Sequence, residues 1–339
     1  GANTLTLKGG GTFSNTNALV LNDADSLLSL AGILTIGDVD GTAASNTGKG
    51  IKVTSSATLG DYDLSAESYL DIAANKTLAG QLNLQSGGVL KTSGDGQYTG
   101  DTALAGGKFS ATDSQVLSGT LSITADSELA VSENYTLTLS QTGGLSLGAN
   151  TLTLSGGGTL SNTINNALVL NNADSLLMLD DTVTVGAVDV TAASSADKGL
   201  EVNASAAISS LKVTADTELN IADGEALSGA ITVTGGSLKL TETGTLASAI
   251  SMSGGTLDAD NSLIVSGALS HTDDITIDVA DTKTLTYSGT AISLGANTLT
   301  LSGGGTFSNT NALVLNDANS LLSLAGILVI GDVDGTTAS

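Results

Sequence analysis

Apolar and polar residues alternate with a period of two along almost the whole chain. The runs TLTL (Thr4 to Leu7), ALVL (Ala18 to Leu21), QLNL (Gln81 to Leu84), ELNI (Glu218 to Ile221) and SLKL (Ser237 to Leu240) each set apolar residues against Thr, Ser, Asn, Glu or Lys. This alternation predicts half-buried strands, with one set of side chains facing a core and the other facing water. The runs are short and are separated by Gly, Asn, Asp and Ser, which leaves no room for a helix. No stretch sustains a helical spacing.

A shorter repeat lies inside this pattern. Leu219, Leu238 and Leu257 follow one another at a constant step, and the same step relates Ile221, Leu240 and Ala259; Leu227, Leu246 and Val265; and Ile231, Ile250 and Leu269. Paired glycines keep it too, from Gly235-Gly236 to Gly254-Gly255 and from Gly87-Gly88 to Gly106-Gly107, with Leu90 and Phe109 following the second set. Hairpins would reverse successive strands. A constant translation with one polarity stacks equivalent residues and makes the strands parallel. The predicted fold is therefore an all-β parallel β-solenoid with coils of about 19 residues, apolar ladders inside and Gly pairs at corners where a Cβ would clash. General chirality favours a right-handed β-helix. The irregular stretches Gly41 to Gly50, Ser93 to Asp101 and Ala192 to Gly199 are expected to leave the coils as loops.

A longer repeat frames the short one. The segment Gly1 to Ser45 returns as Gly295 to Ser339 with changes only at Lys8/Ser302, Asp25/Asn319, Thr35/Val329 and Ala43/Thr337. A looser copy begins at Gly148, midway between the two, and carries the extra Ile164 and Asn165. One continuous solenoid over 1–339 is expected, with repeat units 1–147, 148–294 and an incomplete 295–339. Gly1 stands at the start of a unit, so the 339 residues read as an excerpt of something longer.

Composition narrows the core and the partners. Hydrophobic residues make up 40% of the chain and aromatics 2%, so the layers must be built from Leu, Val, Ile and Ala of modest, uniform size. A solenoid of this length adds layers without enlarging its core. The net charge of −24, with Lys as the only strong base, disfavours nucleic acid and anionic membranes alike. No apolar run is long enough to span a bilayer as a helix, so no membrane insertion by this segment is expected.

The strings ALSGAITVTGGSLKL (Ala226 to Leu240), TLASAISMSGGTLDA (Thr245 to Ala259) and LSGTLSIT (Leu117 to Thr124) resemble the passenger repeats of bacterial autotransporter adhesins and related giant surface proteins. In that family GGTL-type turns punctuate a right-handed parallel β-helix. The resemblance is one of pattern and composition over most of the chain. It implies a secreted, surface-displayed rod.

Candidate chemistry is sparse. His271 is the single histidine, and HTDD, with Asp273 and Asp274, reads as a polar loop rather than part of a Ser-His-Asp arrangement. With no Cys and one His, transition-metal sites are excluded. The carboxylate pairs Asp180-Asp181, Asp258/Asp260 and Asp273-Asp274 lack the Arg and aromatic platform of polysaccharide-cleaving β-helices, and solvated acidic loops explain them. No catalytic or cofactor-binding residues are assigned. Calcium is the one cofactor considered, because GDVDGT at Gly37 to Thr42 returns at Gly331 to Thr336 and places Asp38 and Asp40, then Asp332 and Asp334, before a Gly. The middle copy has Ala187 and Val190 in place of Asp38 and Gly41, which favours Asp as a turn residue. The pairs Thr4/Thr6, Thr151/Thr153, Thr232/Thr234 and Thr298/Thr300 raise an ice-binding face but do not keep the step of the coils.

The expected function is that of a structural repeat segment in an extracellular fibre or cell-surface adhesin. It would give a rigid rod for reach, attachment or matrix assembly at a bacterial surface. The alternatives are a carbohydrate-active β-helix enzyme and a calcium-stiffened or ice-binding repeat. The expected partners are like subunits or further repeats stacked end to end, with contact to a cell surface or polysaccharide. A continuation beyond Ser339 is expected to resemble the chain from residue 46 or residue 195.

Overall fold

The structure is a computed structural model that describes residues 1–326 and 329–336. Among these residues every regular element is a β-strand except one 3-10 turn at Ile164–Asn166. The chain divides into two compact units, Gly1–Ala167 and Leu168–Ser339, a boundary that falls inside the second sequence copy. Each unit is a parallel β-solenoid, with coils of about 22 residues.

In the first unit the long strand Thr4–Phe13 pairs in parallel with Leu27–Ile36 over its whole length, Thr4 opposite Leu27 and Phe13 opposite Ile36. Three inward ladders, apolar except at Thr92 and Thr102, then rise through successive coils. One runs Leu5, Leu28, Ile51, Leu70, Thr92, Ala111 and Val131. A second runs Leu34, Ala57, Leu78, Tyr98, Leu117 and Leu139. The third runs Leu19, Val39, Tyr62, Leu82, Thr102 and Leu121. Strand alternation sends these side chains inward and their neighbours outward, so each coil closes around its own slice of core. Each fully buried Leu or Ile contributes about 1.5–3 kcal/mol through removal of apolar surface from water.

The second unit repeats the plan. Its ladders include Leu200, Leu219, Leu240, Ala259 and Val279 on one wall and Leu168, Val188, Leu211, Ile231, Ile250 and Leu269 on another. Tyr287 and Phe307 stack inside it with ring centroids 6.3 Å apart. The Tyr287 hydroxyl donates to Thr290 O at 2.7 Å and accepts from Leu269 N at 3.0 Å, which satisfies a polar group placed in the core.

The coil length is the main correction to the sequence reading. The repeat step holds at Leu238 to Leu257, Leu227 to Leu246 and Ile231 to Ile250, but Ile277 stacks on Leu301 across a longer step. Leu219 does not stack on Leu238: Thr217 lies opposite Leu238, and Leu219 lies opposite Leu240. A slip of two positions leaves every side chain on its own face, so the apolar pattern does not distinguish the two registers. Corner length decides between them.

Two of the three expected loops lie at 42–49 and 192–198, tied to neighbouring coils by matching bonds such as Ser45 N to Glu67 O at 2.9 Å and Ser194 N to Asp216 O at 2.9 Å. The third is not a bulge. Within Ser93 to Asp101, Gln97–Tyr98 forms a coil leg that buries Tyr98 in the core, with its hydroxyl donating to Gly80 O at 2.7 Å. The Gly87-Gly88 corner is as expected, since Gly87 has φ +83° and a Cβ on Gly88 would lie 2.1 Å from Leu64 O.

Candidate functional site

The residues singled out in the sequence do not converge on one cleft. His271 ends the strand Leu269–His271, opposite Met252 on the preceding coil. Its Nδ1 lies 3.0 Å from Asp273 O, Asp273 Oδ1 accepts from Asp274 N at 2.9 Å, and Asp274 Oδ1 accepts from Thr298 N at 2.6 Å. The HTDD carboxylates therefore fix a corner to the next coil. Neither orients the imidazole toward a nucleophile.

The Asp258/Asp260 pair has more pronounced electrostatics. Strand pairing builds an outward column Glu218, Lys239, Asp258, Asp278 and Ser302 on one face of the second unit. Lys239 Nζ lies 2.8 Å from Asp260 Oδ2 and 3.6 Å from Glu218 Oε1, and Ser302 donates to Asp278. Partial burial, then the neighbouring Asp260 and Asp278 charges, push the Asp258 carboxyl up to about 6. A carboxyl with that affinity suits general acid chemistry. The column nevertheless lies along the strands, outside the grooves of both units described below. An analogous column in the first unit stacks Asp40 on Asp63 and Asp63 on Asn83, and partial burial followed by Asp63 and Asp38 raises the Asp40 carboxyl. In the second copy the equivalent Asp189 faces Lys212.

The calcium candidates Asp38, Asp40, Asp332 and Asp334 sit at a corner and on the strand that follows it. Asp38 Oδ1 accepts from Asp61 N at 3.1 Å, and its main-chain oxygen accepts from Leu19 N at 2.9 Å and from Asn15 Nδ2 at 3.0 Å. Asp332 O accepts from Leu313 N and Asn309 Nδ2, both at 3.0 Å, and Asp334 lies opposite Val314. Among the described residues no group of three or more His, Cys, Asp or Glu side chains is placed to hold a metal ion. The Thr-x-Thr pairs are scattered: Thr6 stacks on Ser29, Thr153 on Glu128, and Thr232 between Lys212 and Ser251. A column that the sequence did not reveal is Thr256, Thr276 and Thr300.

The residue that sequence reasoning missed is a corner asparagine. Asn15 Nδ2 donates to Asn17 O at 2.9 Å as well as to Asp38 O, while its Oδ1 accepts from Gly37 N at 2.9 Å. Asn309 repeats the latch with Asn311 O at 2.9 Å, Asp332 O at 3.0 Å and Gly331 N at 2.8 Å. One side chain thus joins two coils through three backbone groups. In the middle copy the inserted Ile164 and Asn165 form the 3-10 turn instead, and Asn166 turns inward to donate to Leu139 O. The signal was present in the recurring SNT at Ser14 to Thr16, Ser161 to Thr163 and Ser308 to Thr310.

Shallow grooves lie beside these columns. In the first unit a groove of about 440 Å³ is floored by Gly87, Gly88, Gly106 and Gly107, and its Lys108 and Glu128 pair with each other at 2.7 Å. In the second unit a polar groove of about 320 Å³ is lined by Asp197, Glu201, Asp223 and Glu242. No helix among the described residues is long and apolar enough to cross a membrane. No protein-family profile, curated protein or solved structure matches the chain.

Proposed function

We propose that the chain is a structural repeat segment of an extracellular fibre or cell-surface adhesin, displayed at a bacterial surface and valued for reach and for resistance to unfolding and proteolysis. The observation that carries this reading is that separate sequence copies build the same coils with the same fastenings. Asn15 and Asn309 make the same three bonds, and the following turns repeat as well, with Asp23 Oδ1 accepting from Asp25 N at 3.0 Å and Asp317 Oδ1 from Asn319 N at 2.8 Å. Selection for one catalytic cleft would break such repetition at a single place. The inserted turn of the middle copy closes on itself and on Leu139.

The outward columns of Asp, Thr and Lys supply a hydrated, acidic exterior that discourages lateral association between parallel strands. The resemblance of the GGTL-type turns to autotransporter-type passenger repeats adds the expected location. The test is surface labelling of intact cells that express the protein, using antibodies raised against this segment. Labelling without permeabilisation, and a thinner labelled layer after in-frame removal of the unit 148–294, are the expected results. Labelling seen only after permeabilisation overturns the reading.

A further inference from the structure

Three Asn-x-Ser/Thr triplets occur in the chain: Asn75-Lys76-Thr77, Asn134-Tyr135-Thr136 and Asn203-Ala204-Ser205. This is the acceptor pattern of asparagine-linked glycosylation, in which the side-chain amide takes the sugar and a hydroxyl stands two positions on. The structure separates the three. Asn75 and Asn134 are exposed at the same place in two like turns, with φ +59° and +69°. Lys76 N donates to Ala73 O at 3.0 Å in the first turn, and Tyr135 N to Ser132 O at 3.1 Å in the second. Strand pairing from Leu78 to Tyr98, Leu117 and Leu139 sets both turns at one corner of the first unit, three coils apart. At ~4.8 Å per coil they stand about 14 Å from each other along the stack. Among the described residues neither asparagine side chain makes a hydrogen bond, and neither do the hydroxyls of Thr77 and Thr136. The two threonines are held by their main-chain N–H groups instead, Thr77 N to Ser56 Oγ at 3.1 Å and Thr136 N to Ser114 Oγ at 3.2 Å.

The third triplet is exposed at its asparagine but engaged at both ends. Asn203 Nδ2 donates to Asp180 Oδ1 at 2.8 Å, and Ser205 donates from both N and Oγ to Glu225 Oε2 at 2.7 Å. Turn geometry does not account for the other two. Asparagine tolerates positive φ, but the same turn is made with Gly224 at φ +79° and with Thr282 at φ +66°, closed by Glu225 N to Ala222 O and Lys283 N to Ala280 O, both at 3.0 Å. The fold accepts other residues at this place, so it does not by itself call for Asn followed by a free Thr hydroxyl.

We infer that Asn75 and Asn134 are acceptor sites for N-linked glycosylation and that Asn203 is not. The inference goes beyond the structural-repeat reading and does not depend on it. The co-substrate is an activated sugar whose anomeric carbon carries a diphosphate leaving group, and a glycosyltransferase brings the two together. Asn Nδ2 attacks the anomeric carbon, a C–N bond forms, and the C–O bond to the diphosphate breaks with its electron pair leaving on oxygen. Nδ2 gives up one proton to a base of the transferase and becomes a secondary amide. No redox step is involved. A turn that projects an unengaged amide and an unengaged hydroxyl fits such an enzyme without local unfolding, whereas the 203–205 triplet must first break its bonds to Asp180 and Glu225.

Peptide mapping by mass spectrometry, on the full protein isolated from the cells that naturally make it, tests this. Peptides containing Asn75 and Asn134 should carry mass increments of whole glycosyl units, and the peptide containing Asn203 should have its unmodified mass. Asn75→Gln and Asn134→Gln should each lose the increment at the altered site alone. Thr77→Val and Thr136→Val keep the asparagines and the main-chain bonds to Ser56 and Ser114, and should lose the increments as well. Unmodified peptides at both Asn75 and Asn134 overturn the inference. So do increments that persist in the valine variants, because the modification would then not read the triplet, and so does equal modification at Asn203. The surface-labelling experiment decides the display reading separately, since it scores the location of the chain and not its mass.

Discussion

Leu64 stands directly over Gly41, and a β-carbon on residue 41 would lie 2.3 Å from Leu64 Cδ2. The second copy solves the same packing problem with different volumes. There Val190 replaces the glycine and carries Val213, while Leu211 replaces Tyr62 over the preceding valine. Side-chain volume removed from one coil is returned in the next, as close-packed layers require.

This relationship predicts a compensating pair. Gly41→Val alone overpacks the layer and should destabilise the first unit by about 1–3 kcal/mol. Adding Leu64→Val and Tyr62→Leu, which copies the second-unit solution, should recover most of that loss. Urea unfolding of the single and triple variants checks it. Equal destabilisation in both would show that Gly41 is needed for a reason other than space.

The asparagine latch gives a second expectation. Asn15→Ala removes the side-chain partner of Gly37 N and Asn17 O and leaves Asp38 O with Leu19 N alone, at a corner where only the bond to Gly37 N is partly buried. Loss of a hydrogen bond at such a corner costs about 0.5–1.5 kcal/mol. Asn15→Asp keeps the acceptor for Gly37 N but sets a carboxylate oxygen against the Asn17 and Asp38 carbonyls, so it should be at least as destabilising as Asn15→Ala. Amide hydrogen exchange should show faster opening at residues 37–41 in the alanine variant. Unchanged exchange there would remove the latch from the account.

A third expectation concerns pH. Asp258 faces Asp278 on the next coil and Asp260 on its own, with Lys239 on the coil before reaching Asp260 and Glu218. Its carboxyl titrates at about 6 in the fold against an ordinary value of 3.8. The folded state therefore holds this proton more tightly than the unfolded chain does. The resulting stabilisation is complete below about 3.8 and is lost as pH rises through about 6. Asp258→Asn should raise the stability of the second unit at neutral pH and flatten its change between pH 4 and pH 6. Thermal melts at pH 4, 5, 6 and 7 measure both effects. A variant that retains the full slope would place the titration elsewhere.

Much of this fold was legible because a period of two and a repeated translation are geometric facts about stacked strands. Leu227 over Leu246 and Leu90 over Phe109 were readable from spacing alone. Leu219 over Leu240 was not, because a slip of two positions preserves every inward side chain and only the corner at 222–225 sets the register. Tyr98 was hidden for a related reason. The short strand Gln97–Tyr98, set between glycine-rich corners, carries too little alternation to be recognised, although its ring lies in the core. The acidic columns needed the register as well, since Asp258 and Asp278 stand on successive coils and become neighbours only through strand pairing.

The repeat itself supports the most demanding expectation. Ser127 and Leu129 stack on Leu152 and Leu154, while Ile275 and Ile277 stack on Leu299 and Leu301, the same two positions of the next copy. Across both junctions the chain reads Leu-Ser-Leu or Ile-Ser-Leu and then Gly-Ala-Asn. Removing residues 148–294 joins Leu147 to Gly295 in phase, placing Leu299 and Leu301 over Ser127 and Leu129 and Phe307 over Leu137, where Leu160 lay. The new contact exchanges Leu160 for Phe307 and loses the bond from Asn166 to Leu139 O, since the copy from Gly295 lacks the inserted turn; a volume change of that kind costs about 1–3 kcal/mol. The shortened chain should therefore fold, with β-rich circular dichroism, cooperative melting and no gain in helix. If it is instead disordered or protease-sensitive throughout, equivalent positions in the copies are not interchangeable, and their sequence identity reflects something other than a shared packing unit.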